Sequence, residues 1–243
     1  MFSFWKKEKK SDAPVLKTDL HSHLIPGIDD GSQSTEESLA MLRAMADLGY
    51  EKMTTTPHVM ADAYRNSTET ILSGLASLRE AVASEGINIK LDAAAEYYMD
   101  EEFVRRLDTD DILTIGEEGY LLFETSYVSK PMNFEEVVFE IGAKGYKPLF
   151  AHPERYRYIT DPKEMFGRMK ELGVFFQLDI NSLGGHYGKQ AKKHAELLIE
   201  WGMIDFLGSD IHRKKQVAYL AEVFKGKSYQ ELWEKNEIKN ALL

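Results

Sequence analysis

Residues 17–31 read KTDLHSHLIPGIDDG. A short apolar run ends in a His-x-His pair, His21 and His23, and the loop that follows spends one proline, two glycines and two aspartates. Directly after it, TEESLAMLRAMADLG (35–49) has helical periodicity, a capping candidate in Ser34 or Thr35 and a glycine stop at Gly49. Strand, polar loop and helix in that order make a βα unit, so the question is whether the pattern repeats and whether other strand ends carry matching side chains.

It repeats. Further apolar or β-branched runs at 52–56, 87–95, 120–125, 147–151, 174–180 and 204–209 join the first at 14–20. Helical segments lie between them, among them NFEEVVFEIGAKG (133–145), DPKEMFGRMKELG (161–173) and GKQAKKHAELLIEWG (188–202). Pro162 in the first turn of the second and Gly173 at its end show the usual asymmetry of helix termini. Alternating strands and helices imply right-handed crossovers and a parallel sheet. Seven such units without a glycine-rich phosphate loop predict an α/β fold, a distorted seven-stranded (β/α)7 barrel, with chemistry at the C-terminal ends of its strands.

The 243 residues suffice for one such domain, expected to span 14–243. The leading MFSFWKKEKKSDAP lacks the apolar core of a secretory signal; residues 1–13 read as a mobile tail that could touch a membrane surface weakly. No apolar run approaches the roughly 20 residues of a membrane span. Cysteine is absent, which excludes disulfides, thiolate ligands and a phosphocysteine mechanism, and fits a cytoplasmic protein. A net charge of −10 argues against nucleic acid as a partner.

The strand ends carry the signal. The first supplies His21 and His23 with Asp30 in its loop, the second His58, the third Glu96, the fourth Glu124, the fifth His152 and Arg155, and the seventh Asp210 and His212. Five of the seven histidines thus follow an expected strand, and a carboxylate buried without a partner is costly, so cations explain Glu96 and Glu124 together. Asp29 reads as a turn residue, Asp19 as the group that orients His21, and His194 as a packed residue on a helix face with Ala191, Ala195 and Leu198. His186 is either a substrate contact or a plain loop residue. Asn181 is a substrate-contact candidate and Asp179 a weaker one.

Imidazoles and carboxylates without sulfur suit Mn²⁺, Fe²⁺ or Zn²⁺. Five histidines and four acids (Asp30, Glu96, Glu124 and Asp210) exceed one ion and suit two or three. Three divalent ions against four carboxylates leave a local charge of about +2, with Arg155 added, which selects a compact dianion such as a phosphate monoester.

DLHSH, TPH, AEYY, HPERY and GSDIH, in this order from Asp19 to His212, resemble the PHP (polymerase and histidinol phosphatase) superfamily. HSHLIPGIDDG followed by TEESLAML is similar, more narrowly, to the CpsB/YwqE-type bacterial protein-tyrosine phosphatases. That resemblance implies the PHP barrel, manganese dependence, and as substrate a phosphotyrosine-bearing tyrosine kinase of capsule or exopolysaccharide synthesis. It also implies a trinuclear centre: one ion on His21, His23, Glu96 and Asp210, a second on Glu96, Glu124 and His152, and a third on Asp30, His58 and His212. Asp30 and Glu124 stand where histidinol phosphatases of the superfamily usually carry histidine. Arg155, Asp210 and His212 are the expected catalytic residues, and Arg155 and Asn181 the expected substrate contacts. The competing expectations are a phosphatase of histidinol phosphate or another small phosphomonoester, an amidohydrolase-type barrel, and an idle metal-binding regulator.

Overall fold

A computed structural model describes residues 14–243; the expected tail, 1–13, and its membrane-surface contact lie outside the described residues. Among the described residues nine short strands run in parallel: β1 (Thr18–Asp19), β2 (Lys52–Thr55), β3 (His58–Val59), β4 (Lys90–Ala93), β5 (Glu96–Tyr98), β6 (Tyr120–Glu124), β7 (Lys147–Ala151), β8 (Phe175–Asp179) and β9 (Phe206–Gly208). They form two sheets, β1-β2-β4 and β3-β5-β6-β7-β8-β9. The count differs from the seven expected. Pro57 has no N–H to give the ladder and biases Thr56 before it, so the run at 52–59 breaks into β2 and β3. The partner run breaks alongside into β4 and β5. Hydrogen bonds still cross the gap, from Ala94 N to Thr55 O and from Glu96 N to Pro57 O. The sheets curl towards each other, and an isolated parallel bridge between Ser22 and Ile211 joins the segment after β1 to the one after β9.

Period-two alternation sorts the strand side chains. Ala94, Tyr120, Leu122, Leu149, Ala151 and Phe206 form a small apolar cluster inside the curl with Leu20 and Ile115, and Leu243 packs against it. Their neighbours Ala95, Tyr97, Leu121, Phe123, Phe150, Phe176, Leu178 and Leu207 belong to the large core between sheet and helices. The same alternation turns Glu96, Glu124 and Gln177 inward, above the apolar cluster.

The helices that cover the outside are α1 (Thr35–Asp47), α2 (Thr68–Ser84), α3 (Glu101–Thr109), α4 (Phe134–Ala143), α5 (Pro162–Glu171), the short α6 (Ile180–Leu183), α7 (Lys189–Glu200), α8 (Lys214–Val223) and α9 (Lys227–Lys235). Their starts follow the expected chemistry: the Ser34 side chain accepts from Glu37 N, and Asp161 accepts from Glu164 N ahead of Pro162. Among the described residues no helix is long and apolar enough to cross a membrane.

Candidate metal centre

The polar residues at the strand ends converge at the mouth of the curl. His21, His23 and Glu96 are fully buried, Asp210 and Glu124 are 3% exposed, and all lie above the apolar cluster. Ligand atoms fall into three overlapping groups, each within 4.8 Å: His21, His23, Glu96 and Asp210; His23, Asp30, His58 and His212; and His58, Glu96 and Glu124. The first group matches the set implied by resemblance. In the third, His58 stands where His152 was expected, with its Nδ1 3.1 Å from Glu96 Oε2 and 3.2 Å from Glu124 Oε1. His152 approaches the other oxygen, Nε2 to Glu96 Oε1 at 2.9 Å. In the second group His23 joins Asp30, His58 and His212, and its ring stacks on His212 at 3.9 Å.

Backbone strain helps to aim two of these side chains. His152 and Asp210 adopt φ of +35° and +46°, in the left-handed region that side-chained residues rarely enter. His152 directly follows β7, and Asp210 lies two residues beyond the end of β9. Gly208 allows the close approach beneath: a Cβ there would lie 2.6 Å from Gln177 Nε2 and 2.7 Å from His21 Cβ.

Outer hydrogen bonds fix the rings, and here the structure corrects two expectations. His21 Nδ1 is held by Gln177 Oε1 at 2.7 Å, not by Asp19. Asp19 instead accepts from the backbone N–H and the hydroxyl of Ser209, so it anchors the strand end beside Asp210. Asp29 is more than a turn residue: besides accepting from Gly31 N at 2.8 Å, its Oδ2 lies 2.7 Å from His23 Nδ1. Such contacts set the imidazole tautomer so that the Nε2 atoms face one another across the centre.

The charges show what the arrangement lacks. Burial opposes a positive charge on His21 and His23, yet Glu96 and Asp210 beside the first and Asp29 beside the second hold both well above the usual imidazole range. Burial and the Arg155 charge push His152 down to about 4. Burial and the neighbouring Glu96 raise Glu124. Glu96 Oε2, Asp210 Oδ1 and His58 Nδ1 are buried with no hydrogen-bond partner. Both oxygens face imidazoles: Glu96 Oε2 lies 3.3 Å from His21 Nε2, and Asp210 Oδ1 lies 3.2 Å from His21 Nε2 and 3.3 Å from His23 Nε2. Orphaned lone pairs facing one another are costly alone and are satisfied by cations that replace the imidazole protons. The residues present therefore fit several divalent ions.

Arg155 stands at the edge of this group. Its guanidinium pairs with Asp210 Oδ2, lies 3.6 Å from Asp179 Oδ2, and stacks over Tyr187 at 4.0 Å and Tyr127 at 5.1 Å. Asp210 thus divides its oxygens, one towards the imidazoles and one towards Arg155. Asn181 is fully buried and donates to Ser209 O, which leaves it no exposed surface for a substrate. His194 is buried in packing, edge-on to Phe166. His186 meets Tyr187 edge-on and Tyr219 at a tilt, outside the centre. Gln177, Tyr127 and Tyr187 were not among the expected site residues. Gln177 alone left a trace in the sequence, as the one neutral amide inside the apolar run FFQL.

Residues 17–233 match the CpsB/CapC family, described as capsular polysaccharide synthesis. The tyrosine-protein phosphatase YwqE of Bacillus subtilis (strain 168) is 29% identical over 197 residues, 81% of this chain and 78% of the relative. The tyrosine-protein phosphatase CpsB of Streptococcus pneumoniae is 25% identical over 199 residues, 80% of this chain and 82% of the relative. Among solved structures, a chain from the crystal structures of YwqE from Bacillus subtilis and CpsB from Streptococcus pneumoniae, described as unique metal-dependent tyrosine phosphatases, is similar with a TM-score of 0.77 at 26% identity. The match covers 91% of this chain and 96% of that one. Histidinol phosphate phosphatase from Lactococcus lactis shares the fold, with a TM-score of 0.52 at 11% identity over 87% of this chain and 94% of its own.

Proposed function

The chain belongs to the CpsB/CapC family of capsular polysaccharide synthesis, and from that premise we propose that it is a metal-dependent protein-tyrosine phosphatase. Its substrate in this reading is a phosphotyrosine-bearing tyrosine kinase of a capsule or exopolysaccharide system, and its place is the cytoplasm. One observation carries the reading: three overlapping ligand groups, with buried oxygens and a nitrogen that lack partners, share a mouth with an arginine stacked on two tyrosines. We also read β2 with β3, and β4 with β5, as interrupted single strands, which restores the seven-stranded barrel of one domain, 14–243.

His21, His23, Glu96 and Asp210 would hold one ion, Glu96, Glu124 and His58 or His152 a second, and Asp30, His58 and His212 a third. Mn²⁺ is the ion proposed, with Fe²⁺ and Zn²⁺ as the alternatives the donor set allows. When bound, such ions lower the pKa of water and offset the charge of a phosphoryl group. The chain's own residues do the rest. Arg155 donates to the phosphoryl oxygens, more strongly as charge develops there, and Asp179 and Asp210 hold its guanidinium in place. The Tyr127 and Tyr187 rings flank that position and offer apolar walls to a phenyl ring. His212, half-buried with its Nε2 3.4 Å from Asp30 Oδ1 and its Nδ1 3.0 Å from the carbonyl of Asp210, would serve the reaction through the ion it holds, since a metal-bound imidazole nitrogen has no lone pair left to carry a proton.

The reading is tested by phosphate release from a phosphotyrosine peptide, a phosphoserine peptide and histidinol phosphate, each with added Mn²⁺. The phosphotyrosine peptide should be hydrolysed with kcat/KM at least about tenfold above the other two, a difference of roughly 1.4 kcal/mol. Preference for histidinol phosphate would reassign the substrate to a small phosphomonoester.

A further inference from the structure

Beside the metal centre lies a second pocket whose residues none of the above chemistry uses. It is a cavity of about 360 Å³ lined by Val59, Met60, Ala61, Asp62, Tyr64, Arg65 and, from α3, Glu102, Arg105 and Arg106. Among the lining residues three guanidinium groups face two carboxylates, and Asp111 behind Arg106 supplies a third acid. The cations are incompletely matched. Glu102 serves both Arg105 and Arg106. Among the described residues, Arg65 makes no ion pair; its Nε donates to the carbonyl of Ala61 at 2.6 Å. Arg106 is 9% exposed, and its buried Nη1 has no hydrogen-bond partner, with Asp111 Oδ2 at the ion-pair distance of 3.4 Å.

One aromatic ring touches both this pocket and the metal centre. Tyr64 lines the pocket and stacks on His58 with ring centroids 5.5 Å apart and planes within 16°. Extended backbone advances roughly 3.3–3.6 Å per residue, so a side chain two or three positions from a residue held at the metal centre reaches about 7–10 Å, enough to pass one ring. A planar donor fork with unfilled N–H groups is suited to carboxylate or phosphate oxygens.

We propose that the pocket formed by Tyr64, Arg65, Arg105 and Arg106 binds a second anionic group of the substrate, an acidic side chain or a further phosphate on the residues flanking the phosphotyrosine. The inference rests on the phosphotyrosine reading and adds to it a substrate class, a segment rich in negative charge. Arg106 is tied into the fold through its donation to Asn66 O, so the groups free to exchange partners are Arg65 and Arg105, both exposed.

The test compares three phosphotyrosine peptides that differ only at the flanking positions: glutamine, glutamate, or a non-hydrolysable phosphonate analogue of phosphotyrosine. Each is assayed with the wild-type chain and with the double variant Arg65→Gln/Arg105→Gln, beside p-nitrophenyl phosphate, which has no flanking residues. Wild type should hydrolyse the glutamate peptide about tenfold better in kcat/KM than the glutamine peptide, mainly through KM. The double variant should lose that preference while its turnover of p-nitrophenyl phosphate stays within about twofold of wild type. A larger gain with the phosphonate than with glutamate identifies a phosphate as the natural group, and an equal gain identifies a carboxylate. Equal kcat/KM for all three peptides in wild type, a preference that survives in the double variant, or loss of p-nitrophenyl phosphate turnover in it overturns the inference and leaves the phosphatase reading intact. No hydrolysis of any peptide while p-nitrophenyl phosphate is consumed overturns both.

Discussion

Arg155 shows how one side chain can serve two ends. It binds Asp210 Oδ2 while Asp210 Oδ1 faces the imidazoles, so the same guanidinium that would meet phosphate also orients a ligand carboxylate. Arg155→Lys keeps the charge and loses the planar fork, and kcat/KM on a phosphotyrosine peptide should fall by about 10²–10³. Bound metal should remain at the wild-type level, because Asp210 keeps its second oxygen free; loss of metal would make Arg155 a structural residue. Gln177 gives a separate test. Its Oε1 lies 2.7 Å from His21 Nδ1, and Gln177→Leu removes that acceptor from a buried ring. Metal affinity measured by titration should drop about 10–100-fold, and an unchanged affinity would show that His21 is oriented by something else. The histidines, acids and arginine of this site were legible because charged and imidazole side chains are rarely placed at strand ends without a purpose. Gln177, Tyr127 and Tyr187 were not, since neutral amides and aromatics fill ordinary cores as well.

Among the elements, the strand ends matter most. The run at 52–56 was legible as a strand, but its resumption beyond Pro57 as β3 was not, because the ladder partners that extend it are set only by the fold. The left-handed turns at His152 and Asp210 were likewise invisible: histidine and aspartate enter that region more readily than most residues, but few of either do, and the fold decides which. The short turn after β7 (a 3₁₀ helix, Pro153–Arg155) is anchored from below by Glu154, a buried acid whose Oε1 accepts from Ser182 Oγ at 2.7 Å and Asp179 N at 3.1 Å. Burial raises Glu154 from 4.5 to about 7. A folded-state pKa above the unfolded value means stability that is full below about 4.5 and lost as pH rises through 7, of order 3 kcal/mol for a group so buried. Between about 4 and 6.5 the depressed His152 acts in the opposite sense, so the variant must be read against wild type. Urea unfolding of the metal-free chain at pH 5 and pH 8 should show Glu154→Gln losing less stability across that interval than wild type; equal losses would mean Glu154 is ionised at both.

For the molecule as a whole, a βα alternation legible from the first strand onward predicted a parallel α/β fold with its polar residues at one mouth, and the curled sheets place them there. The apolar cluster beneath was less legible, because alternation assigns a residue to a face only once the sheet is known to curl. What the fold creates is a concentration of negative charge that a chain of net charge −10 holds together only with cations, supplied as imidazolium protons or as metal. The central claim is that hydrolysis of phosphotyrosine depends on more than one ion at this centre. It is tested most directly by stripping the protein with a chelator, adding Mn²⁺ stepwise, and measuring bound metal per chain and phosphate release from a phosphotyrosine peptide on the same samples. Activity should be near zero in the stripped chain, stay low up to one ion per chain, and climb to its plateau as the second or third is filled. Full activity at one ion or fewer, or in the stripped chain, would contradict it.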